Sequence, residues 1–243
     1  AHCEDIDLMD GGVANDDEYI RKQGLRGISN AVEDIIAVRD VMLAGETGAH
    51  LHLCHCSTYG SVEIVRQAKK HGINVTAEVC PHHFTLTSKD VDAGDANYKM
   101  NPPLRTKKDV EALKRGLRDD IMNVIATDHA PHTAEEKARE FAKAPSGITG
   151  LETAFSVCNT YLVQTGKLTP MQLLDRMSKA PAEIYGLTDR AVQAGNFARL
   201  VLLDWDTEKV YETYKSKGIN TPYTDKKLTG SPKAIVTGTK VTE

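Results

Sequence analysis

The chain has 243 residues, 40% of them hydrophobic and 26% charged, and its formal net charge is −4. That length is enough for one large domain or two smaller ones, each with a buried core. The mildly acidic balance argues against a nucleic-acid-binding surface, and the sequence contains no apolar run of membrane-spanning length. Five cysteines, an odd number found mostly in apolar segments, indicate reduced thiols in the cytoplasm and not a disulfide framework.

Strand-like and helix-like segments alternate through the first half of the chain. Polar and apolar residues alternate at 49–54, which predicts a strand, and the segments 73–79 and 122–127 predict two more. Helices are predicted to begin at Asn30, which has the spacing of a capping box, and at Thr106. A strand–helix–strand repeat of this kind is typical of a parallel sheet with right-handed crossovers.

The second half of the chain is predicted to be helical at first and then to contain strands. Residues 80–97 are predicted to form a long loop. Helices are predicted at about 151–165, 169–179 and 181–186. After Gly186, short strands are predicted at 196–204 and 232–241, the second with a turn at Thr237 and Gly238. This tail is typical of a small β-domain.

The octapeptide 125–132 draws attention because an apolar run stops abruptly at Asp128. Buried parallel strands are apolar runs, and active sites of α/β folds lie where such strands end. Pro131 then fixes the loop that follows. We expect Asp128 to bind a metal ion and to move protons, although an ordinary turn after a strand is the alternative.

Three predicted strand ends carry metal-ligating side chains, namely His2, His55 and Asp128. Ligands collected from successive strands of a barrel lie far apart in sequence, as these do. Two neutral imidazoles and one carboxylate suit zinc or a similar divalent ion, and a free coordination position would lower the pKa of a water molecule. A single histidine is more often structural than a ligand, so each histidine by itself leaves the structural alternative open.

The sequence pattern indicates the roles of the other histidines less definitely. His82 and His83, after Pro81, either contact a substrate or support their loop, and the sequence leaves both alternatives open. His129 is expected to support the site from behind. His132, beyond the Pro131 turn, is expected to point toward the mouth.

Several segments closely resemble the bacterial long-chain dihydroorotases of the amidohydrolase superfamily. The most specific are the runs 99–105 and 126–132, and the resemblance extends over essentially the whole chain. The matching segments are 1–5, 53–58, 76–83, 98–105, 125–132, 150–155 and 195–198. The resemblance implies a distorted (β/α)8 barrel, an α/β fold, here over residues 1–190, and strands of a small β-sandwich over residues 191–243.

The resemblance also implies a chemistry and roles for individual residues. The reaction is the reversible closure of N-carbamoyl-L-aspartate to L-dihydroorotate in pyrimidine synthesis, at a binuclear zinc site. By match to the motifs, His2 and His55 are ligands of one zinc, and Asp128 is a ligand of the other and the general acid and base. The implied substrate contacts are Asn101, His132 and the backbone of Ser146 and Gly147.

The chain departs from the family pattern at several points. The His-x-His pair of the first barrel strand, a nearby arginine and a bridging carboxylate have no counterpart in it. We therefore expect the chain to represent the later part of a barrel and to be inactive and unstable by itself. Ser146 stands where a bulky apolar residue is expected, and Arg199 stands where an acid is expected.

Two alternatives are kept beside this interpretation. Another cyclic amidohydrolase, such as an allantoinase or a hydantoinase, is disfavoured by the run 101–105. An inactive scaffold is disfavoured because it would have no need to keep His2, His55 and Asp128. The expected partners are a small-molecule substrate and a second copy of the chain, with aspartate carbamoyltransferase as a further candidate, and neither nucleic acid nor membrane.

Overall fold

The computed structural model describes residues 1–187 and 192–242 and divides the chain into two compact units. The first unit contains Ala1–Glu152 and Thr213–Pro222, and the second contains Thr153–Glu212 and Tyr223–Glu243. The predicted boundary between residues 190 and 191 lies outside the described residues. No described helix has the length and apolarity needed to cross a lipid bilayer.

The first unit alternates short strands with helices. In chain order these are α1 (Ile6–Met9), β1 (Ala14–Asn15), α2 (Glu18–Lys22), β2 (Gly27–Ile28), α3 (Ala31–Thr47), β3 (Leu51–Leu53), α4 (Tyr59–Lys70), β4 (Val75–Val79), α5 (Pro81–Thr85), α6 (Lys107–Arg118), β5 (Val124–Ile125) and α7 (Ala134–Lys137).

The predicted parallel sheet is confirmed, with the strand order β3-β4-β5. Leu51 pairs with Val75, and Glu78 pairs with Val124, both in parallel register. A separate parallel pair joins β1 to β2. Each of the three strands begins two residues later than predicted, and β3 and β5 also end earlier. At those two ends the backbone leaves the extended region, with a positive φ of 37° at His55 and of 47° at Asp128.

Helix α6 begins where the sequence predicts it, and α4 begins with a side-chain cap of its own. The Thr58 side chain caps α4 by accepting a hydrogen bond from the Ser61 amide. Thr106 and Asp109 form a reciprocal capping box at the start of α6. Both caps act within one turn of helix, which makes them visible in the local sequence.

The predicted capping box at the start of α3 is wrong. Asn30 lies in the helical region of φ and ψ and makes no side-chain cap, although α3 does begin at the next residue. The Glu33 carboxylate is instead buried, where it accepts hydrogen bonds from the Ser57 amide at 2.8 Å and the Ser61 hydroxyl at 2.5 Å. These partners satisfy Glu33 better than the exposed helix end would, because a buried carboxylate needs donors.

Residues 80–97 are more ordered than predicted. Helix α5 begins at Pro81, where the missing amide hydrogen costs nothing, and 3₁₀ turns follow at Ser88–Asp90 and Ala96–Tyr98. His82, His83 and Phe84 are all buried within α5. The prediction of a loop failed because five residues are too few to show helical periodicity.

The second unit places helical segments on an antiparallel sheet. Its helices are α8 (Ala154–Cys158), continued as a π-turn over Asn159–Val163, α9 (Pro170–Leu174), continued as a π-turn over Asp175–Lys179, and α10 (Ala180–Ile184). The sheet has the order β6 (Arg199–Val210), β7 (Lys227–Thr237) and β8 (Lys240–Thr242). The predicted turn at Thr237 and Gly238 is confirmed, while β6 and β7 are longer than predicted.

Buried hydrogen bonds join this sheet to α8 and the π-turn that continues it. Ser156 Oγ lies 2.6 Å from the Gly230 carbonyl oxygen and 2.6 Å from the Tyr211 hydroxyl. Asn159 Nδ2 donates to the carbonyls of Trp205 at 2.9 Å and Thr229 at 2.8 Å. The polar side chains of the helix thus satisfy sheet carbonyls that would otherwise be buried without partners.

Candidate metal and substrate site

Two of the predicted metal ligands, His2 and His55, are brought into direct contact. His2 Nδ1 lies 2.8 Å from His55 Nε2. The N-terminal segment runs beside the end of β3, where the Ala1 carbonyl accepts a hydrogen bond from the Cys54 amide at 2.9 Å. That backbone contact places His2 next to the residue that follows Cys54.

His55 and Asp128 share an unusual backbone conformation. Both have positive φ values, 37° and 47°, although neither is glycine. Such a conformation costs about 1–3 kcal/mol per residue and is concentrated at functional sites. Each residue follows the end of a parallel strand, so the turn directs its side chain away from the sheet at the edge where sites of α/β folds lie.

The electrostatics of His55 are set by burial and by Asp128. Burial lowers the pKa of His55, and the negative charge of Asp128 opposes that shift without cancelling it. A neutral imidazole offers the lone pair that a metal ion needs. His55 Nδ1 is moreover buried without a hydrogen-bond partner. Asp128 is exposed, and among the described residues it does not complete a three-donor cluster within 4.8 Å with His2 and His55.

The donor set fits a divalent metal ion. Two nitrogen ligands of one tetrahedral zinc lie about 3.3 Å apart when each Zn–N bond is about 2.05 Å. The 2.8 Å between His2 Nδ1 and His55 Nε2 is close to this separation. Imidazole nitrogens together with a carboxylate are the ligands that zinc and similar ions take in proteins.

Glu4 connects the candidate metal ligand His2 to the predicted substrate contact Asn101, and the sequence reasoning missed it. Glu4 Oε1 accepts a hydrogen bond from Asn101 Nδ2 at 2.6 Å, and Glu4 Oε2 lies 3.3 Å from His2 Nε2. The Glu4 side chain is only 16% exposed, compared with 49% for His2. Its position two residues after a candidate ligand was the signal that sequence reasoning could have used.

The remaining predicted substrate contacts lie together on one loop. His132 Nε2 lies 2.9 Å from the Ser146 carbonyl oxygen. Asn220 joins the two ends of this loop. Its Oδ1 accepts a hydrogen bond from the His132 amide at 2.9 Å, and its Nδ2 donates one to the Gly147 carbonyl at 3.1 Å. Gly147 has a φ of 118°, and a β-carbon there would lie 2.5 Å from that of Ala130, so only glycine fits.

Buried lysines hold this loop from inside. Lys137 Nζ donates to the carbonyls of Pro145 and Gly147, both at 3.0 Å. Lys99 Nζ donates to the Ala144 carbonyl at 2.7 Å, and the Lys99 carbonyl accepts from the Gly147 amide at 2.9 Å. Burial lowers the pKa of Lys137 to about 8. Because Lys99 precedes Asn101 by two residues, this contact ties the Gly147 loop to the Asn101 segment.

The two histidines left open by the sequence are buried, and His83 supports the Asn101 segment. His83 Nε2 donates to the Pro102 carbonyl at 2.7 Å. Complete burial lowers the pKa of His82 to about 3, and the nearby His55 adds to that shift. His82 Nε2 and His83 Nδ1 have no hydrogen-bond partner. Both imidazoles are therefore neutral at physiological pH.

Cys80, His82 and His83 also form a cluster whose donor atoms lie within 4.8 Å of one another. All three residues are buried, so a substrate cannot reach the cluster. This set differs from the predicted ligands, since His55 and Asp128 follow the ends of β3 and β5 and His2 lies beside His55. A catalytic centre needs an open coordination position facing substrate, and the His2 and His55 pair meets that requirement better.

The parallel α/β unit, with polar groups meeting at one edge of its sheet, has the architecture of the α/β barrel class. The chain belongs to the amidohydrolase family, whose family model matches residues 11–240. Members of this family are generally metal-dependent.

Curated relatives point to one group within the family. The dihydroorotase of Bacillus caldolyticus is 48% identical over 100% of this chain, which spans 58% of that protein. The dihydroorotase of Bacillus licheniformis is 50% identical over 92% of this chain and is covered to 53% of its length. The resemblance to dihydroorotases is confirmed, and the chain spans somewhat more than half the length of these relatives.

A solved structure supports the fold. The crystal structure of dihydropyrimidinase from Brevibacillus agri matches with a TM-score of 0.85 and 23% identity, covering 99% of this chain and 55% of that chain. At this identity the likeness concerns the fold alone. It agrees with the predicted α/β barrel class of an amidohydrolase.

Proposed function

We propose that the natural protein containing this chain is a dihydroorotase, which interconverts N-carbamoyl-L-aspartate and L-dihydroorotate. The activity of the 48%-identical relatives supports the proposal, because their likeness covers the whole chain. The structural observation that carries it is the contact of His2 with His55 at the strand edge that also bears Asp128.

The proposal assigns His2 and His55 to one zinc ion and Asp128 to a second ion of the same centre. Bound zinc would supply a Lewis acid for the amide carbonyl and would lower the pKa of a water molecule. The neutral imidazole of His55 and the strained backbone at both strand ends support this assignment. A zinc titration with elemental analysis tests the metal and its stoichiometry.

Asp128 is proposed to move the proton. In ring opening, a base must take a proton from the attacking water and an acid must return it to the departing amide nitrogen. One carboxylate performs both steps in turn if it is ionised before attack and protonated after it. The exposure of Asp128 at the end of β5 leaves it accessible to a substrate.

Asn101, His132 and the backbone of Ser146 and Gly147 are proposed to hold the substrate. The carboxylate of dihydroorotate needs donors when it leaves water, and the Asn101 amide and the His132 ring supply them. Contacts through Lys137 and Asn220 fix the loop that carries Gly147. These contacts hold the loop in one position.

Hydantoinase or allantoinase activity is the alternative that a substrate panel excludes or supports. The natural protein would be assayed with dihydroorotate, hydantoin, dihydrouracil and allantoin after zinc loading. We expect the highest kcat/KM with dihydroorotate, loss of activity with a chelator, and recovery with zinc. A preference for hydantoin would contradict the substrate, and full metal without any turnover would favour the inactive scaffold.

The proposal extends to assembly and location. We propose a homodimer in the cytoplasm and treat aspartate carbamoyltransferase as a candidate partner, on the resemblance to dihydroorotases alone. Light scattering of the purified protein, with and without that enzyme, gives the mass of each species. A monomer that ignores the enzyme would contradict both expectations.

A further inference from the structure

We propose that Glu4 is a positioning residue that fixes which nitrogen of the His2 ring carries the hydrogen and which way the Asn101 amide points. In this way Glu4 couples metal binding to substrate binding. The inference rests on the proposed function, in which His2 binds metal and Asn101 binds substrate. Glu4 contacts both residues directly, through separate oxygen atoms of one carboxylate.

The contact with His2 determines which imidazole nitrogen is available. Glu4 Oε2 lies 3.3 Å from His2 Nε2, and an ionised carboxylate can only accept hydrogen bonds. His2 Nε2 therefore carries the hydrogen, and His2 Nδ1 keeps its lone pair. That lone pair faces His55 Nε2 at 2.8 Å, where the metal is proposed to bind. A carboxylate behind a ligating histidine fixes its tautomer and increases its basicity.

The contact with Asn101 determines which way the amide points. Glu4 Oε1 lies 2.6 Å from Asn101 Nδ2, so the amino group of the amide faces the carboxylate. The opposite orientation would place two acceptor oxygens against each other. Asn101 Oδ1 and its second N–H are then left for a substrate. One partly buried carboxylate thus prepares both halves of the site.

The burial of Glu4 strengthens both contacts. Its side chain is 16% exposed, so water competes weakly for its oxygens. Hydrogen bonds to an ionised group are about twice as strong as neutral ones. A shift of the Glu4 carboxylate would move the His2 ring and the Asn101 amide together, because both are attached to the same group.

Two substitutions separate these effects. Glu4→Gln keeps the size and one acceptor oxygen but removes the charge, and Glu4→Ala removes both contacts. Glu46→Gln, on the exposed end of α3, is the matched control. Zinc affinity is measured by competition with a chelator in the absence of substrate, and KM and kcat for dihydroorotate are measured at saturating zinc.

We expect Glu4→Gln to weaken zinc binding about 10–100-fold, as for other carboxylates behind ligating histidines, with KM nearly unchanged. Glu4→Ala should weaken zinc binding to a similar extent and also raise KM at least about tenfold, since a small displacement of a positioning group is costly. The factor by which saturating dihydroorotate changes zinc affinity should fall toward one in Glu4→Ala.

Unchanged zinc affinity in Glu4→Gln would overturn the inference. Complete loss of zinc from Glu4→Gln would also overturn it, because Glu4 would then be a ligand itself. If the wild-type protein fails to turn over dihydroorotate, the proposed function fails, but the zinc measurements still test the effect of Glu4 on His2. Circular dichroism of each variant confirms that the comparison is made between folded proteins.

Discussion

His2 and His55 are 53 residues apart in the chain, yet His2 Nδ1 lies 2.8 Å from His55 Nε2. The contact depends on backbone pairing, since the Ala1 carbonyl accepts from the Cys54 amide. It also depends on the left-handed backbone of His55, which turns the chain immediately after β3. The site is therefore formed at the ends of strands, and the hydrogen bonds that hold those strand ends control its shape.

The first prediction concerns the buried ion pair formed by Arg105 and Glu33. Arg105 donates to the Ile28 carbonyl at 2.8 Å and Ser57 Oγ at 3.1 Å, and lies 3.8 Å from the Glu33 carboxylate. Arg105→Met should lower the free energy of unfolding by about 3–5 kcal/mol, because Glu33 would remain buried without its cation. Urea unfolding measures the change.

Two further variants sharpen this test. Arg105→Lys should not restore stability, because an ammonium group cannot reach several partners in one plane as a guanidinium does. Arg118→Met is the control, since Arg118 is exposed and contacts Asp119. Equal stabilities for Arg105→Met and Arg118→Met would show that the buried network is dispensable.

The second prediction concerns stability in acid. The pKa of His82 is about 3 in the folded protein, because burial disfavours the charged ring, compared with 6.5 for an ordinary histidine. Between these values the unfolded chain binds a proton that the folded chain does not. The free energy of unfolding should therefore fall as pH drops below about 6.5, with a contribution from His82 of up to about 1.4 kcal/mol per pH unit.

His82→Gln should remove that contribution and flatten the dependence between pH 4.5 and 6.5, which fall inside the window of about 3 to 6.5 set by the two pKa values. Urea unfolding at several pH values gives the slopes. His71→Gln, at the exposed end of α4, serves as the control. Parallel curves for wild type and His82→Gln would mean that His82 is already protonated, or solvated, in the folded protein.

The third prediction concerns the loop that carries Gly147. Lys137→Met removes the donor to the Pro145 and Gly147 carbonyls. We expect KM for dihydroorotate to rise at least about tenfold with zinc content unchanged, because the loop would shift while the metal ligands stay in place. Lys143→Met, in which the replaced lysine is exposed, should leave KM unaltered. A loss of zinc with normal KM would assign Lys137 to the metal site.

Local features of the fold could be predicted from the sequence where one turn or one strand carried the whole signal. The cap at Thr106 and the parallel strands β3, β4 and β5 are of this kind. The cap at Asn30 failed because Glu33 is drawn to Ser57, which lies 24 residues away. A distant residue that competes for a side chain cannot be recognised from the local sequence pattern.

The same difference between local signals and distant contacts applies to the candidate site. The proposed roles of His2, His55, Asn101 and Asp128 come from strand ends and specific motifs, and the structure brings His2 and His55 into contact. Asn220 could not be predicted, since its role arises only from contacts across the fold, such as the hydrogen bond from the His132 amide to Asn220, 88 residues away. Glu4 is marked in the sequence only by its position two residues after His2. The chemistry of a site is concentrated in motifs, whereas its support is spread through the fold.

The most direct test of the proposed function is kcat for Asp128→Asn with dihydroorotate, measured against pH with zinc content checked in each sample. Asparagine keeps the shape and one oxygen but cannot carry the proton. We expect a variant that binds zinc and dihydroorotate yet turns over at least about a hundredfold more slowly than the wild type at each pH. An Asp128→Asn protein with full zinc and near-normal kcat would remove Asp128 from the mechanism and contradict the proposed function of this site.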